Sequence, residues 1–102
     1  MGEGSAGART ATGRERQDGG PLAGITVIDL STTVPGAQAT QFLADAGADV
    51  VQVEPPSGSP LRERAAWPAL ARGKRSIALD LHDEADRAVL DGLIATADAL
   101  VM

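Results

Sequence analysis

Two segments of this sequence hold residue types that could take part in chemistry, and the first is the polar loop at residues 31–38. The loop follows a short apolar run and precedes a segment with helical spacing, so we predict that it joins a strand to a helix N-terminus. Ligands of open α/β sheets commonly bind at such a junction. The alternative is a connecting loop in which a serine or threonine only caps the helix.

The second segment is Arg72-Gly73-Lys74-Arg75, which leads into Leu79-Asp80-Leu81-His82. It is the densest cluster of cations in a chain with a formal net charge of −5. Clustered cations can bind phosphate groups, although a run of charge is more often a solvated turn. Both interpretations stay open at this point.

Two single residues have sharper chemical interpretations with weaker support. His82 is the only histidine, and no carboxylate pair surrounds it in a recognisable ligand pattern, so we predict no metal site there and assign no catalytic residue. Glu54 lies where a dinucleotide-binding fold has its ribose-binding carboxylate. That fold needs G-x-G-x-x-G after the first strand, and residues 31–40 contain a single glycine, Gly36.

The elements that would position these residues follow from the spacing of apolar side chains. Residues 25–30 form a short apolar run typical of a buried parallel strand, and residues 49–54 predict a second strand. Between them Pro35 can begin a helix. One apolar stripe of that helix recurs at i, i+3, i+4 and i+7 and contains Ala39, Phe42, Leu43 and Ala46. Gly47 follows where a left-handed cap is expected.

The second half of the chain continues the alternation of strands and helices. Residues 55–73 are rich in Pro, Gly and Ser and predict a long irregular connection, and residues 76–81 predict a third strand. Asp83 is a predicted N-cap for a helix over residues 84–96, whose apolar face contains Leu90, Leu93, Ile94 and Ala97. Residues 99–102 begin a fourth strand. We therefore predict an α/β fold with a parallel sheet and flanking helices, cut off after the start of the fourth strand.

Three ordered blocks carry a family resemblance that runs from about Pro21 to Met102, namely PLAGITVIDLS, LADAGADVVQVE and RGKRSIALDL. With these blocks the chain resembles the class III CoA-transferases, or CaiB/BaiF family, which includes formyl-CoA transferase and α-methylacyl-CoA racemase. The resemblance implies a Rossmann-like fold and coenzyme A or acyl-CoA as the substrate, with no permanently bound cofactor. It also implies a homodimer in the full-length context.

The resemblance implies two parts of a CoA site. In the family the first loop lies beside the thioester end of CoA, and the matching residues here are Val34 and Pro35, with Val34 where some members have glutamine. The segment that lines the adenosine part matches Leu79, Asp80, Leu81 and His82.

Two departures from the family pattern weaken the expected contacts. His82 stands where a lysine is common, and Pro55 replaces an arginine that packs on the adenine. We therefore expect weak CoA binding that depends on Lys74 and Arg75, as exposed cations that meet a phosphate.

The catalytic aspartate of the family lies well beyond the last residue of this sequence. We expect residues 1–20 to be a disordered leader and residues 21–102 to be the N-terminal, CoA-binding part of a CoA-transferase, inactive alone. Three alternatives stay open: an acyl-CoA racemase, a diverged non-catalytic α/β module, and a dinucleotide-binding domain.

Composition narrows the remaining function classes. The chain has no cysteine, which excludes disulfides, a thiolate nucleophile and cysteine metal sites. No apolar run approaches the roughly 20 residues that span a bilayer, and no apolar secretion signal precedes Pro21, so we predict a cytoplasmic protein. The negative net charge and the absence of a basic face predict no nucleic-acid partner.

Overall fold

The computed structural model describes residues 20–102, in which four parallel strands form one sheet. The strands are β1 (Thr26–Asp29), β2 (Asp49–Glu54), β3 (Arg75–Ala78) and β4 (Ala99–Val101), and their order across the sheet is β3-β2-β1-β4. This is the order of the first four strands of a doubly wound sheet, so the Rossmann-like prediction is confirmed. The predicted leader, apart from Gly20, lies outside the described residues.

One face of the sheet carries the larger apolar core. Alternate strand residues point to this face, where Ile28, Val51, Val53 and Leu79 pack with Leu90. Leu90 belongs to α3 (Glu84–Ala95), and the predicted partners Leu93, Ile94 and Ala97 pack against the same cluster. Asp83 accepts a hydrogen bond from the Ala85 amide at 3.3 Å. The predicted N-cap and apolar face of this helix are therefore confirmed.

The opposite face is covered by helix α1 (Val34–Asp45), and here the predicted apolar stripe is only partly confirmed. Leu43 packs against the core on this face, but two other members of the stripe do not. Phe42 is 61% exposed, and Ala39 also faces solvent. The buried face instead contains Ala37, Thr40, Gln41 and Ala44. Thr40 is buried because its hydroxyl donates a hydrogen bond of 2.6 Å to the buried Asp29 carboxylate on β1. That polar contact sets the rotation of the helix, which the apolar spacing alone did not reveal.

The two ends of α1 agree with the predictions made from the sequence, unlike part of its apolar stripe. A proline lies in its first turn, as expected for Pro35. Gly47 has φ of +108°, a conformation that L-residues with a side chain rarely adopt. The prediction of a left-handed residue after the helix is therefore confirmed.

The connection between β2 and β3 contains more regular structure than predicted. A 3₁₀ turn (Pro60–Glu63) is followed by the short helix α2 (Trp67–Leu70). Leu61 and Leu70 pack with Ala37 of α1 in a small apolar cluster. Because these side chains are anchored on α1, the connection folds over the same sheet face as that helix.

Candidate functional site

A pocket of about 290 Å³ lies at the carboxyl ends of β1, β2 and β3. This edge is where open α/β sheets bind their ligands. Its lining residues come from the segments that follow these strands and from the strand ends themselves: Leu30, Thr32, Val53, Glu54, Pro55, Pro56, Leu79, Asp80, Leu81 and His82. All four residues of the predicted adenosine segment are among them.

The wall formed by residues 79–82 is held by hydrogen bonds that its backbone amides donate. β3 ends at Ala78, earlier than predicted, and the Leu79 amide makes the last ladder contact by donating to the Glu54 carbonyl at 2.8 Å. The chain then turns. Asp80 Oδ1 accepts a hydrogen bond from the His82 amide at 3.0 Å, and the Asp80 amide donates to Asp86 Oδ2 at 2.8 Å. These contacts fix the turn against the first turn of α3.

Of the remaining pocket residues, Thr32 belongs to the loop predicted at residues 31–38, and Glu54 and Pro55 were also considered from the sequence. The others were absent from the predicted site, although a general rule could have found them. Leu30 and Val53 come from the ends of buried strands, Pro55 and Pro56 follow β2, and Thr32 lies in the first loop. Each stands at or just after the carboxyl end of a predicted parallel strand. The pocket therefore has largely apolar walls, with one hydroxyl and a polar rim.

The loop that contains Thr32 is stabilised by hydrogen bonds to the side chain of Asp29. Its carboxylate accepts hydrogen bonds from the Ser31 amide at 2.8 Å and from the Ser31 hydroxyl at 2.5 Å. Thr33 is the N-cap of α1, but its side chain makes no capping hydrogen bond. Ser31 and Thr33 thus do not cap the helix through a side-chain hydrogen bond, so the capping role that the alternative gave this loop is not seen.

Val34 and Pro35, the other predicted residues of this loop, do not line the pocket. Val34 is partly buried and packs against the cluster of Ala37, Leu61 and Leu70, whereas Pro35 is exposed in the first turn of α1. The loop reaches the pocket through Thr32 instead.

Lys74 is not the exposed cation that the sequence predicted. Its side chain is only 2% exposed, and its Nζ lies 3.0 Å from the Ala37 carbonyl oxygen and 3.4 Å from Asp29 Oδ2. Burial lowers the pKa of Lys74, and the neighbouring Asp29 carboxylate opposes that shift. The physical reason for the error is that a buried carboxylate on β1 requires a cation, and the turn before β3 supplies it.

Arg75 lies at the amino end of β3, the end of the strand that is far from the pocket. It begins β3, and its guanidinium contacts Asp49 at the start of β2 through hydrogen bonds of 2.9 and 2.7 Å. Residues 79–82 follow the other end of the same strand. The structure therefore does not bring Arg75 together with the predicted adenosine segment.

Glu54 points to the α1 face of the sheet and is fully engaged. Its carboxylate accepts hydrogen bonds from Arg62 Nε at 2.6 Å and Nη2 at 2.8 Å, from the Ser59 amide at 2.8 Å, and from the Ser76 hydroxyl. The hydrogen bonds from Arg62 lower the pKa of Glu54 to about 2, against the opposing effect of burial, and Ser76 and Ser59 lower it further. Its acceptor sites are used, so none is left for the hydroxyls of a ribose.

Other site types find no support in the described part of the chain. Within residues 20–102, no group of three or more His, Asp or Glu side chains could hold a metal ion. No helix in the same range is long and apolar enough to cross a bilayer.

Comparison with known proteins gives a consistent result. A family model described as CoA-transferase family III matches residues 22–102. The chain is 36% identical over 91 residues to succinyl-CoA–D-citramalate CoA-transferase of Chloroflexus aurantiacus, with 79% of this chain and 23% of the relative covered. It is 39% identical over 97 residues to succinate–glutarate CoA-transferase of Agrobacterium fabrum, with 79% and 24% covered.

Solved structures agree with the sequence relatives. A CaiB/BaiF family protein from Brucella suis superposes with a TM-score of 0.72 at 35% identity, covering 79% of this chain and 25% of that one. Rv3272 of Mycobacterium tuberculosis gives a TM-score of 0.74 at 38% identity, covering 79% and 23%. The chain thus spans about a quarter of the length of these relatives.

Proposed function

The chain belongs to CoA-transferase family III, and from this membership we propose that it forms the CoA-binding part of an enzyme that moves CoA between acyl-CoA and carboxylic acids. The observation that carries the proposal is the pocket at the carboxyl ends of β1–β3. The proposed ligand residues on its wall are Leu79, Asp80, Leu81 and His82.

The chemistry of the pocket suits the adenosine end of CoA. An adenine ring has two apolar faces, which the side chains of Leu30, Pro55 and Leu81 can cover. Polar groups at the edge, namely the Thr32 hydroxyl and the backbone amide of Leu81, can bond the ring edge or the ribose. Pro55 offers a flat apolar surface without charge, so packing rather than a cation–π contact would hold the base.

The acids at the carboxyl ends of β1, β2 and β3 support binding rather than reaction. Asp29 and Glu54 are buried and hold several hydrogen bonds each, and Asp80 accepts the His82 amide. None of the three is an unengaged carboxylate of the kind that nucleophilic catalysis requires. We therefore propose that this chain alone does not exchange CoA between succinyl-CoA and glutarate. Sustained exchange by the purified chain, absent from a mock preparation, would contradict this.

An NMR titration with CoA tests the site itself. We expect the amides of Thr32, Leu81 and His82 to shift, and that of Arg75, at the far edge of the sheet, to stay in place. Leu81→Gln should weaken binding about fivefold because it removes an apolar wall. Val89→Gln is the matched control, since Val89 is also an exposed apolar residue but does not line the pocket.

Shifts clustered away from the pocket, or equal losses of affinity in the two variants, would contradict the proposed site.

The relatives named above are CoA-transferases, and an acyl-CoA racemase is the alternative that the same pocket would serve. A homodimeric assembly and a cytoplasmic location remain predictions.

A further inference from the structure

We propose that Arg87 is the side chain of this chain that binds a phosphate of the nucleotide, at the rim of the pocket. The proposal rests on the proposed function, because it assumes that the adenosine end of CoA enters the pocket. It replaces the expected role of Lys74 and Arg75 with a residue that neither the motif spacing nor the family resemblance indicated.

Arg87 is tied to the wall of the pocket. Its Nη1 donates a hydrogen bond of 3.3 Å to the carbonyl oxygen of Leu81, and Leu81 and His82 both line the pocket. The side chain is exposed on the first turns of α3. A guanidinium has five N–H donors, and this contact uses one of them. The others remain available to phosphate oxygens, which guanidinium groups bind in bidentate fashion.

The other cations of the described chain are mostly committed to carboxylates. Residues 20–102 contain six Lys and Arg side chains. Four of them form ion pairs, which join Arg62 to Glu54, Arg72 to Asp45, Lys74 to Asp29 and Arg75 to Asp49. Arg64 and Arg87 are the two without a carboxylate partner in this part of the chain. Arg64 follows the 3₁₀ turn and does not line the pocket.

The surroundings of Arg87 are otherwise acidic. Asp80, Asp83 and Asp86 lie around the turn that leads into α3, and their carboxylates accept backbone hydrogen bonds from His82, Ala85 and Asp80. These negative charges repel a phosphate. A phosphorylated nucleoside can therefore favour this rim over an unphosphorylated one only if Arg87 offsets them.

The test compares Arg87→Gln with the matched control Arg64→Gln against three ligands: CoA, 3′-dephospho-CoA and adenosine. Calorimetry or NMR gives the affinities, and amide spectra confirm that each variant is folded. We expect Arg87→Gln to weaken CoA binding about five- to tenfold, with adenosine binding unchanged and Arg64→Gln without effect. Arg87→Lys keeps the positive charge but loses the paired N–H donors of the guanidinium, so it should recover part of the lost CoA affinity.

The dephospho ligand locates the phosphate. If Arg87→Gln does not weaken 3′-dephospho-CoA, the partner is the 3′-phosphate, and if it weakens both CoA forms equally, the partner is the pyrophosphate. An equal loss for adenosine would show that Arg87 only holds the turn, and this would overturn the proposal. Unchanged CoA binding in Arg87→Gln would overturn it too, while leaving the proposed function intact. A wild-type chain that binds none of the three ligands would contradict the proposed function as well.

Discussion

At the residue scale, Glu54 shows how a strand end becomes a structural anchor. Its carboxylate joins the end of β2 to Arg62 on the 3₁₀ turn and to Ser76 on β3. The Cζ atom of Arg62 in turn lies 4.8 Å from the centre of the Trp67 ring, a cation–π distance. One side chain thus fixes the start of the long connection between β2 and β3.

We predict that Glu54→Gln lowers the free energy of unfolding by about 2 kcal/mol, because it removes a charge-assisted bidentate pair whose arginine is half exposed to screening. The control is Glu63→Gln, an exposed acid of the same 3₁₀ turn, which should change it by less than about 0.5 kcal/mol. Urea unfolding of both variants near pH 7 measures the difference. Equal effects of the two substitutions would contradict the assigned role.

The same carboxylate predicts a pH dependence of stability. The pKa of Glu54 in the folded chain is about 2, against an ordinary value of 4.5. The unfolded state therefore binds the proton first, so the stabilisation is complete above about pH 4.5 and is lost as the pH falls toward 2. The stability difference between wild type and Glu54→Gln should shrink over this window. A difference that persists unchanged down to pH 2 would argue against the ion pair.

At the element scale, the loop between β1 and α1 is shaped by contacts beneath it. Gly36 lies so close to Ser31 that a Cβ added there would be 2.5 Å from Ser31 Cβ. Ser31 itself is held by two hydrogen bonds to Asp29. The path that places Thr32 at the pocket thus depends on a glycine in the first turn of α1.

We expect Gly36→Ala to destabilise the chain by about 1–3 kcal/mol, since backbone or Ser31 must move to relieve the clash. Gly92→Ala is the matched control, because Gly92 is also helical and a Cβ there would meet no atom within 4 Å. That control should gain about 0.5–1 kcal/mol from helix propensity. Thermal unfolding distinguishes them, and a stabilised Gly36→Ala variant would show that the close contact does not exist in solution.

The buried pair of Lys74 and Asp29 also acts between elements, since it joins β1 and α1 to the turn before β3. Lys74→Met should cost about 3 kcal/mol, because it leaves a buried carboxylate without its cation. Asn at position 29 removes that charge, so the double variant Asp29→Asn/Lys74→Met should recover at least about 1 kcal/mol. Arg75→Met, which breaks an exposed pair next to it, should cost less than about 1 kcal/mol.

Chemical denaturation of the four proteins provides the comparison. A Lys74→Met variant as stable as Arg75→Met would mean that Lys74 is solvated, as the sequence first suggested. A double variant no more stable than the single one would mean that the two side chains are not coupled.

At the scale of the whole molecule, the described surface keeps several large apolar side chains in water. Phe42 on α1 is 61% exposed, Leu100 on β4 is 41% exposed and Met102 is 86% exposed. β4 is also an edge strand of the sheet. Exposed apolar groups and an edge strand favour association with another chain.

We therefore predict that the chain self-associates at micromolar concentrations and that Phe42→Gln weakens the association. Sedimentation velocity over a range of concentrations measures both. Val89→Gln, an exposed apolar residue on the opposite side of the sheet, provides the control. A single monomer boundary at every concentration would refute the prediction, and equal effects of both variants would remove α1 from the contact surface.

Local sequence determined the elements and their order. The apolar runs predicted the strands. Asp83 predicted the N-cap of α3, and Gly47 predicted the end of α1. The ordered blocks gave the family, and residues 79–82 do line the pocket. These features depend on spacing within a few residues or on a pattern of short blocks, so they can be predicted without the tertiary structure.

Only the tertiary structure decided which polar groups meet. Lys74 pairs with Asp29, Arg75 pairs with Asp49, and Arg87 donates a hydrogen bond to the carbonyl oxygen of Leu81. The same contacts decided that α1 buries Thr40 rather than Phe42. The physical reason is that burial makes each charge or hydroxyl require a partner, and the partner comes from whichever distant segment the sheet brings within reach.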